Sequence, residues 1–167
     1  GIRRWIKRSC KQHEDVCQFE DFGGNVIDTK RLGVPQAYGD KMKSATFCGH
    51  AAGDSLSSRR PTSAVLAGCI PVLICDLCLY AFENFIDYAA FSVFVAEKEV
   101  LEGRLFDVLK AISPERIQEL QRNLRDVRPH FVYHEGAPQS GDALDMLALE
   151  LTLRGSMYRQ HRRWFRH

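Results

Sequence analysis

Apolar positions along the chain fall into blocks of two kinds. One kind is short and continuous. Cys69–Cys75 (Cys-Ile-Pro-Val-Leu-Ile-Cys) has strand length and no polar face, the pattern of a strand buried on both sides of a parallel sheet. Ala45–Cys48 and Phe91–Val95 predict two more strands, the second alternating and rich in aromatic and β-branched residues. In the other kind, apolar residues recur every three or four positions. Ile2, Trp5 and Ile6 predict an amphipathic helix over Ile2–Lys11, with Arg3, Arg4, Lys7 and Arg8 on its other faces. Ala37–Ser44 predicts a short helix with Tyr38 and Met42 on one side. Val100, Leu101, Leu105, Val108, Leu109 and Ile112 predict one helix over Lys98–Ile112. Ser113 as N-cap and Pro114 behind it open another, running to about Val127 with Ile117, Leu120 and Leu124 inward. Leu144, Leu147, Leu149 and Leu151 mark a last helix over Asp142–Leu153. Between these, Gly23–Thr29 suits a short strand and Arg31–Gln36 a loop. Leu79–Tyr88 reads as irregular, anchored by Phe82, Phe85 and Tyr88, and His134–Ser140 is a Gly/Pro loop.

Strands alternating with helices predict an α/β fold, a Rossmann-like and mostly parallel sheet flanked by helices. Such sheets bind ligands beyond the carboxyl ends of their strands. The stretch Thr46–Asp76 supplies that geometry: strand, tight loop, helix, buried strand. Gly53-Asp54 is a turn signal, because Gly takes positive φ without cost and Asp bonds its own backbone. Ser57 or Ser58 is an N-cap, Pro61 falls in the first helical turn, and Gly68 ends the helix. Free amides and the positive end of the helix dipole then face the sheet's edge. Two serines, Ser57 and Ser58, and two arginines, Arg59 and Arg60, share that turn. Positive charge at a helix start is unfavourable on its own, so the pattern points to an anionic partner, a diphosphate. His50 stands between strand and loop, where a lone His is more often a hydrogen-bonded loop residue than a base.

Composition narrows the class. At 167 residues the chain reads as one domain, residues 1–167, with a basic, aromatic tail at 154–167 that either forms a packing helix or lies loose. A net charge of +2 gives no reason to invoke nucleic acid. No apolar run reaches the length of a membrane span. Neither a G-x-G-x-x-G after a strand nor a G-x-x-x-x-G-K-[ST] occurs, so dinucleotide and ATP-type phosphate loops are unsupported. Absence of an Asp-x-Asp motif favours a metal-free site that requires no cofactor. The chain starts in mid-pattern at Gly1-Ile2-Arg3, as though continuing from a longer sequence. Of six cysteines, Cys48, Cys69 and Cys75 sit on apolar runs and read as buried small hydrophobes. Cys75-Asp76-Leu77-Cys78 is a lone C-x-x-C without the second pair a structural zinc site needs. Cys10 and Cys17 can bridge only if a helix ends between them, since seven helical residues span about 10 Å.

The ordered blocks Gly-Asp-Ser-Leu-Ser-Ser-Arg-Arg (Gly53–Arg60), Gly-Cys-Ile-Pro-Val (Gly68–Val72), Ala-Phe-Glu-Asn-Phe-Ile-Asp-Tyr (Ala81–Tyr88) and Phe-Ser-Val-Phe-Val (Phe91–Val95) resemble the carboxyl-terminal half of exostosin-type glycosyltransferases, glycosyltransferase family 47. The likeness extends upstream through Arg3, Arg4, Ile6, Cys10 and Cys17, and downstream through Arg128–Phe131 and Gly141–Ala143, nearly the whole chain. It implies the donor-binding half of a two-Rossmann-domain, GT-B-type inverting enzyme. Such enzymes transfer a sugar from a nucleoside-diphosphate sugar to a polysaccharide or glycoprotein glycan. The acceptor, and often the base, would come from an amino-terminal domain or a partner subunit. The resemblance further implies a Golgi lumen location, a membrane anchor upstream, and an oxidising environment that favours the Cys10–Cys17 bridge.

Residue by residue, Arg60 lies nine positions before Cys69 and matches the arginine of the family motif. Its planar guanidinium suits a diphosphate, gripped by two parallel bonds. Ser57 and Ser58 would add hydroxyl and amide donors, and Gly53 would let the backbone approach. Asp54 either tightens the turn or meets donor-sugar hydroxyls, Arg59 is a surface charge or a second phosphate contact, and His50 reaches the nucleotide or simply completes the loop. Glu83 occupies the Glu of the family's L-P-F-E, near the sugar or anchoring its loop. The sequence departs from the family at three points. Ser63 stands where an acid usually binds the ribose, Ala81 replaces the proline of L-P-F-E, and Ala51 that of P-x-G-D. These leave two readings open, a donor-binding enzyme half and a non-catalytic, glycosyltransferase-like scaffold.

Overall fold

A computed structural model describes residues 1–19, 36–52, 57–136 and 139–164, with the side chains of 36–38 and 159–164 excluded. The strand expected at Gly23–Thr29, the turn Gly53-Asp54 and the loop before Gln36 lie outside these residues. Three parallel strands, β1 (Phe47–Ala51), β2 (Ile70–Ile74) and β3 (Val93–Phe94), form a sheet in the order β1-β2-β3. The fold is therefore α/β with a parallel sheet, and its helices lie on both faces. Every residue of β2 is buried, as its unbroken apolar run requires.

The two faces of β2 meet different helices. Leu73 packs with Val65 of α3 (Arg60–Ala67), Leu120 and Leu124 of α6 (Pro114–Val127), and Phe91, Phe131 and Met146. Val72 and Ile74 pack with Val100 of α4 (Glu97–Leu101), Leu105 and Phe106 of α5 (Leu105–Lys110), and Ile2 and Ile6 of α1 (Ile2–Lys11). Met42 of α2 (Gln36–Ser44) rests on Ala64 of α3 beside Cys69. Local signals set several boundaries. Gly68 ends α3 in the left-handed region at φ 79°. Ser113 accepts a hydrogen bond from the Arg116 amide at 3.2 Å and opens α6. The anticipated single helix over Lys98–Ile112 is instead two, α4 and α5. Gly103 breaks it with φ 79°, and the break turns Val100 and Leu105 together onto the sheet.

Other expectations are corrected by packing. In α1 the inward stripe is Ile2, Ile6, Ser9 and Cys10, and Trp5 is 41% exposed. Phe85 is likewise exposed and no anchor, whereas Tyr88 is buried and donates its hydroxyl to the Ala81 carbonyl at 2.9 Å. The final helix, α7 (Ala143–Trp164), runs eleven residues past its expected end, so 154–164 is helical. Among its described side chains the buried ones are Ala143 and Met146; Leu144, Leu147, Leu149 and Leu151 are exposed. Leucine content suggested an inward face there, but after Met146 the helix is held to the domain by a polar contact, Asn84 donating to the Glu150 carboxylate at 3.0 Å.

Cysteine pairing is the largest correction. Cys48 and Cys69 form a disulfide, and so do Cys75 and Cys78. The parallel register places Cys48 opposite Pro71, which brings Cys69, just ahead of β2, within 5.8 Å between Cα atoms. Cys69 and Cys75 are buried as expected and Cys48 is half-buried, but all three are disulfide-bonded and not free small hydrophobes. Cys10 and Cys17 are also bonded, because α1 ends at Lys11 and the turn after it closes the Cα gap to 5.3 Å.

Candidate functional site

Parallel pairing puts the carboxyl ends of all three strands on one edge. The end of β1 carries His50, the end of β2 leads into Cys75, and β3 ends at Phe94. The amino-terminal turn of α3 lies on the same side, since α3 is the crossover joining β1 to β2.

Arg60 is the first residue of α3 and is half-buried. Ser58 accepts a hydrogen bond from the Arg60 amide at 3.2 Å, but neither Ser57 nor Ser58 is the N-cap expected there. Arg59 holds the N-cap position itself, with no side-chain cap bond, and Ser57, Ser58 and Arg59 are exposed. Pro61 follows inside the first turn, buried, where its missing amide costs nothing. Ser63 turns its hydroxyl back along the helix and donates to the Arg59 carbonyl at 3.0 Å. No acidic residue sits in the first turn of α3. Neither Arg60 nor Arg3 meets a carboxylate among the described residues.

His50 lies beneath this turn and is 3% exposed. Its imidazole has no hydrogen bond among the described residues and meets Tyr80 edge-on, ring centres 6.4 Å apart. Burial, then the positive charges of Arg60 and Arg3, push its pKa down to about 4, so the ring is neutral at physiological pH. The spacing of the sequence named Arg60; it left Arg3 as one of four basic residues on a helix. Only the tertiary packing of α1, through Ile2 and Ile6 against the apolar cluster of β2, α4 and α5, brings the charge of Arg3 to bear on His50.

On the far side of Tyr80 an open cavity of about 620 Å³ is lined by Tyr80, Glu83, Asn84, Phe85, Asp87 and Phe94, among others. Tyr80 and Phe94 meet edge-on at 6.2 Å, so aromatic rings run from His50 to the end of β3. Glu83 is exposed, and its Oε2 accepts the Tyr80 amide at 2.8 Å. Of its two readings, this bond supports the loop anchor. The Tyr80 hydroxyl is buried without a hydrogen-bond partner among the described residues. Burial, then Glu83 and Asp76, raise its pKa. The sequence did not single out Tyr80 or Phe94; an aromatic at the end of a strand and another in the loop facing it were the available signal.

Comparison with known proteins agrees with this picture. The exostosin GT47 domain matches residues 1–112. A probable arabinosyltransferase of Arabidopsis thaliana is 36% identical over 93 residues, 55% of this chain and 21% of that protein. A probable glycosyltransferase of the same plant is 34% identical over 117 residues, 70% of this chain and 24% of that protein. A probable xyloglucan galactosyltransferase, also from A. thaliana, is 25% identical over 171 residues, covering 97% of this chain and 36% of that protein. The chain thus spans about a fifth to a third of the length of these relatives. With two thirds of its length inside the family domain, and that domain ending beyond the basic turn and the buried strand, this chain belongs to the exostosin GT47 family.

Proposed function

We propose that the chain forms the donor-binding part of a glycosyltransferase that moves a sugar from a nucleoside-diphosphate sugar to a glycan or glycoprotein acceptor. The observation that carries this reading is Arg60: a half-buried guanidinium at the start of α3, without a carboxylate partner among the described residues, at the ligand-binding edge of a parallel sheet. As the glycosidic bond breaks, charge develops on the leaving diphosphate, and a fixed cation beside helix amides stabilises it. Ser57 and Ser58 are exposed on the same turn and offer hydroxyls to it. Displacement with inversion needs a base for the acceptor's proton. That base, and the acceptor, belong in this reading to an amino-terminal domain or partner subunit of a GT-B-type enzyme, so this chain by itself binds donor and turns over nothing. No metal takes part. Three disulfides among the described residues suit an oxidising lumen such as the Golgi.

Calorimetric titration with uridine diphosphate tests the reading. The wild-type chain binds, and Arg60→Ala weakens binding by about 10- to 100-fold, the worth of a lost charge-assisted hydrogen bond. Absence of binding, or equal binding by the variant, defeats it. One observation favours a second reading, a non-catalytic scaffold: the position of the family's acid is Ser63, whose hydroxyl is already bonded to the Arg59 carbonyl. Sugar transfer by a longer protein containing this chain separates the two.

A further inference from the structure

We propose that Cys78 is a site of thiol–disulfide exchange: a small thiol without net negative charge attacks its sulfur, the bond to Cys75 breaks, and a mixed disulfide stands in the wall of the aromatic cavity.

Place in the fold separates this bridge from the other two. Cys75 directly follows β2 and is 8% exposed, whereas Cys78 is half-buried and is the one cysteine that lines the cavity of about 620 Å³, with Tyr80, Glu83 and Phe94. Asp76 and Leu77, between the two cysteines, are exposed. Exchange requires an attacking thiolate to reach one sulfur while the other leaves. A cysteine in the wall of an open cavity, bonded to a buried partner, meets that requirement at Cys78. The other bridges are covered. Cys48 and Cys69 pack with Met42 and Ala64, Cys10 is 2% exposed, and Cys17 packs against the cluster of β2, α4 and α5.

Loop length points the same way. The sequence separation is 3 for Cys75–Cys78, against 7 for Cys10–Cys17 and 21 for Cys48–Cys69. A bridge over a short loop takes least freedom from the unfolded chain, so its opening weakens the fold least. Pairing with β1 and β3 holds β2 independently of the bridge, and Asp76 accepts the Glu97 amide at 3.3 Å. Opening therefore loosens the cavity wall and not the domain. Charge selects the thiol. Glu83 and Asp87 line the cavity, Asp76 adjoins the bridge, and neither lysine nor arginine is in the cavity lining. The glutathione thiolate, which is anionic overall, is repelled there; cysteamine, whose ammonium offsets its thiolate, is not. In the exchange the thiolate sulfur bonds to Cys78, and the electron pair of the broken S–S bond leaves on Cys75, which takes up the proton the thiol lost. Return attack by Cys75 restores the bridge and expels the thiol. Attack by a second thiol on the mixed disulfide instead releases Cys78 as a thiol, so that two thiols are oxidised to one disulfide as the bridge is reduced.

Timed exposure to cysteamine or glutathione at mildly alkaline pH, followed by acid quench, alkylation and peptide mass spectrometry, tests the assignment; circular dichroism follows the fold in parallel. Cysteamine is expected to modify Cys78 at least about 10-fold faster than any other cysteine. It should also outpace glutathione at equal thiolate concentration, by a margin that shrinks at high salt. Two variants test the site without the bridge. Cys78 left free in Cys75→Ser should react with a maleimide at least about 10-fold faster than Cys75 left free in Cys78→Ser. Earlier opening of Cys10–Cys17 or Cys48–Cys69, or opening of all three bridges only as the fold melts, overturns the proposal. So does an adduct on Cys75 in place of Cys78, or equal maleimide rates in the two variants. Glutathione reacting as fast as cysteamine overturns the assigned class of thiol.

Discussion

His50→Gln should flatten the dependence of stability on pH between pH 4 and 6.5. In the folded chain the imidazole is buried beneath Tyr80, Arg60 and Arg3, and titrates at about 4. Unfolded, it returns to its ordinary value of 6.5. Its folded pKa is depressed, so the unfolded state binds the extra proton in this window and stability falls as pH falls. The contribution is complete above pH 6.5 and is lost as pH drops toward 4. Each pH unit across the gap is worth about 1.4 kcal/mol. Moving from pH 7.5 to 5 therefore removes about 2 kcal/mol, and moving to pH 4 about 3 kcal/mol, from a domain whose net stability is of order 5–15 kcal/mol. Gln keeps a polar side chain of similar reach and has no proton to gain. Urea unfolding of wild type and variant at intervals from pH 4 to 8 measures the effect, and the other histidines cancel in the difference between the two curves. Parallel curves, or an NMR titration placing His50 above pH 6, would refute the reasoning, because the ring would then be either solvated or already paired with an acid.

Two further outcomes concern the scaffold. Replacing Cys48 and Cys69 together with Ser should lower unfolding free energy by about 3 kcal/mol, the loop-closure value for a sequence separation of 21 residues; denaturant midpoints with and without reductant check it, and a variant as stable as wild type would mean that the pair is not bonded in solution. Ser113→Ala should cost about 1 kcal/mol through loss of the cap on the Arg116 amide, seen as a lower thermal midpoint with α6 otherwise intact by circular dichroism.

Much of the central unit was legible because its signals are local. Ser58 ahead of Arg60, Pro61 in the first turn and Gly68 at φ 79° act over one or two turns of chain, so spacing alone delimited α3 and put Arg60 at its start. The unbroken run at Cys69–Cys75 required burial on both faces, and β2 has it. Ser113 and Pro114 opened α6 where the pattern placed them. Weaker local information misled at Gly103, where one residue with positive φ divided an apolar period that otherwise looked continuous. It misled again in α7, where leucines at mixed spacing gave no single face to bury.

What only the tertiary structure decided are relations between residues far apart in the chain. Pairing of Cys48 with Cys69 follows from strand register, which no residue in either run encodes alone. The shared influence of Arg3 and Arg60 on His50 follows from α1 packing, through two isoleucines, against the cluster that α4 and α5 form with β2, and the same sequence on an undocked helix would carry an ordinary solvated charge. Segment type is written in short-range preferences of the backbone, whereas the grouping of side chains from separate elements exists only once burial of apolar surface has fixed where those elements meet.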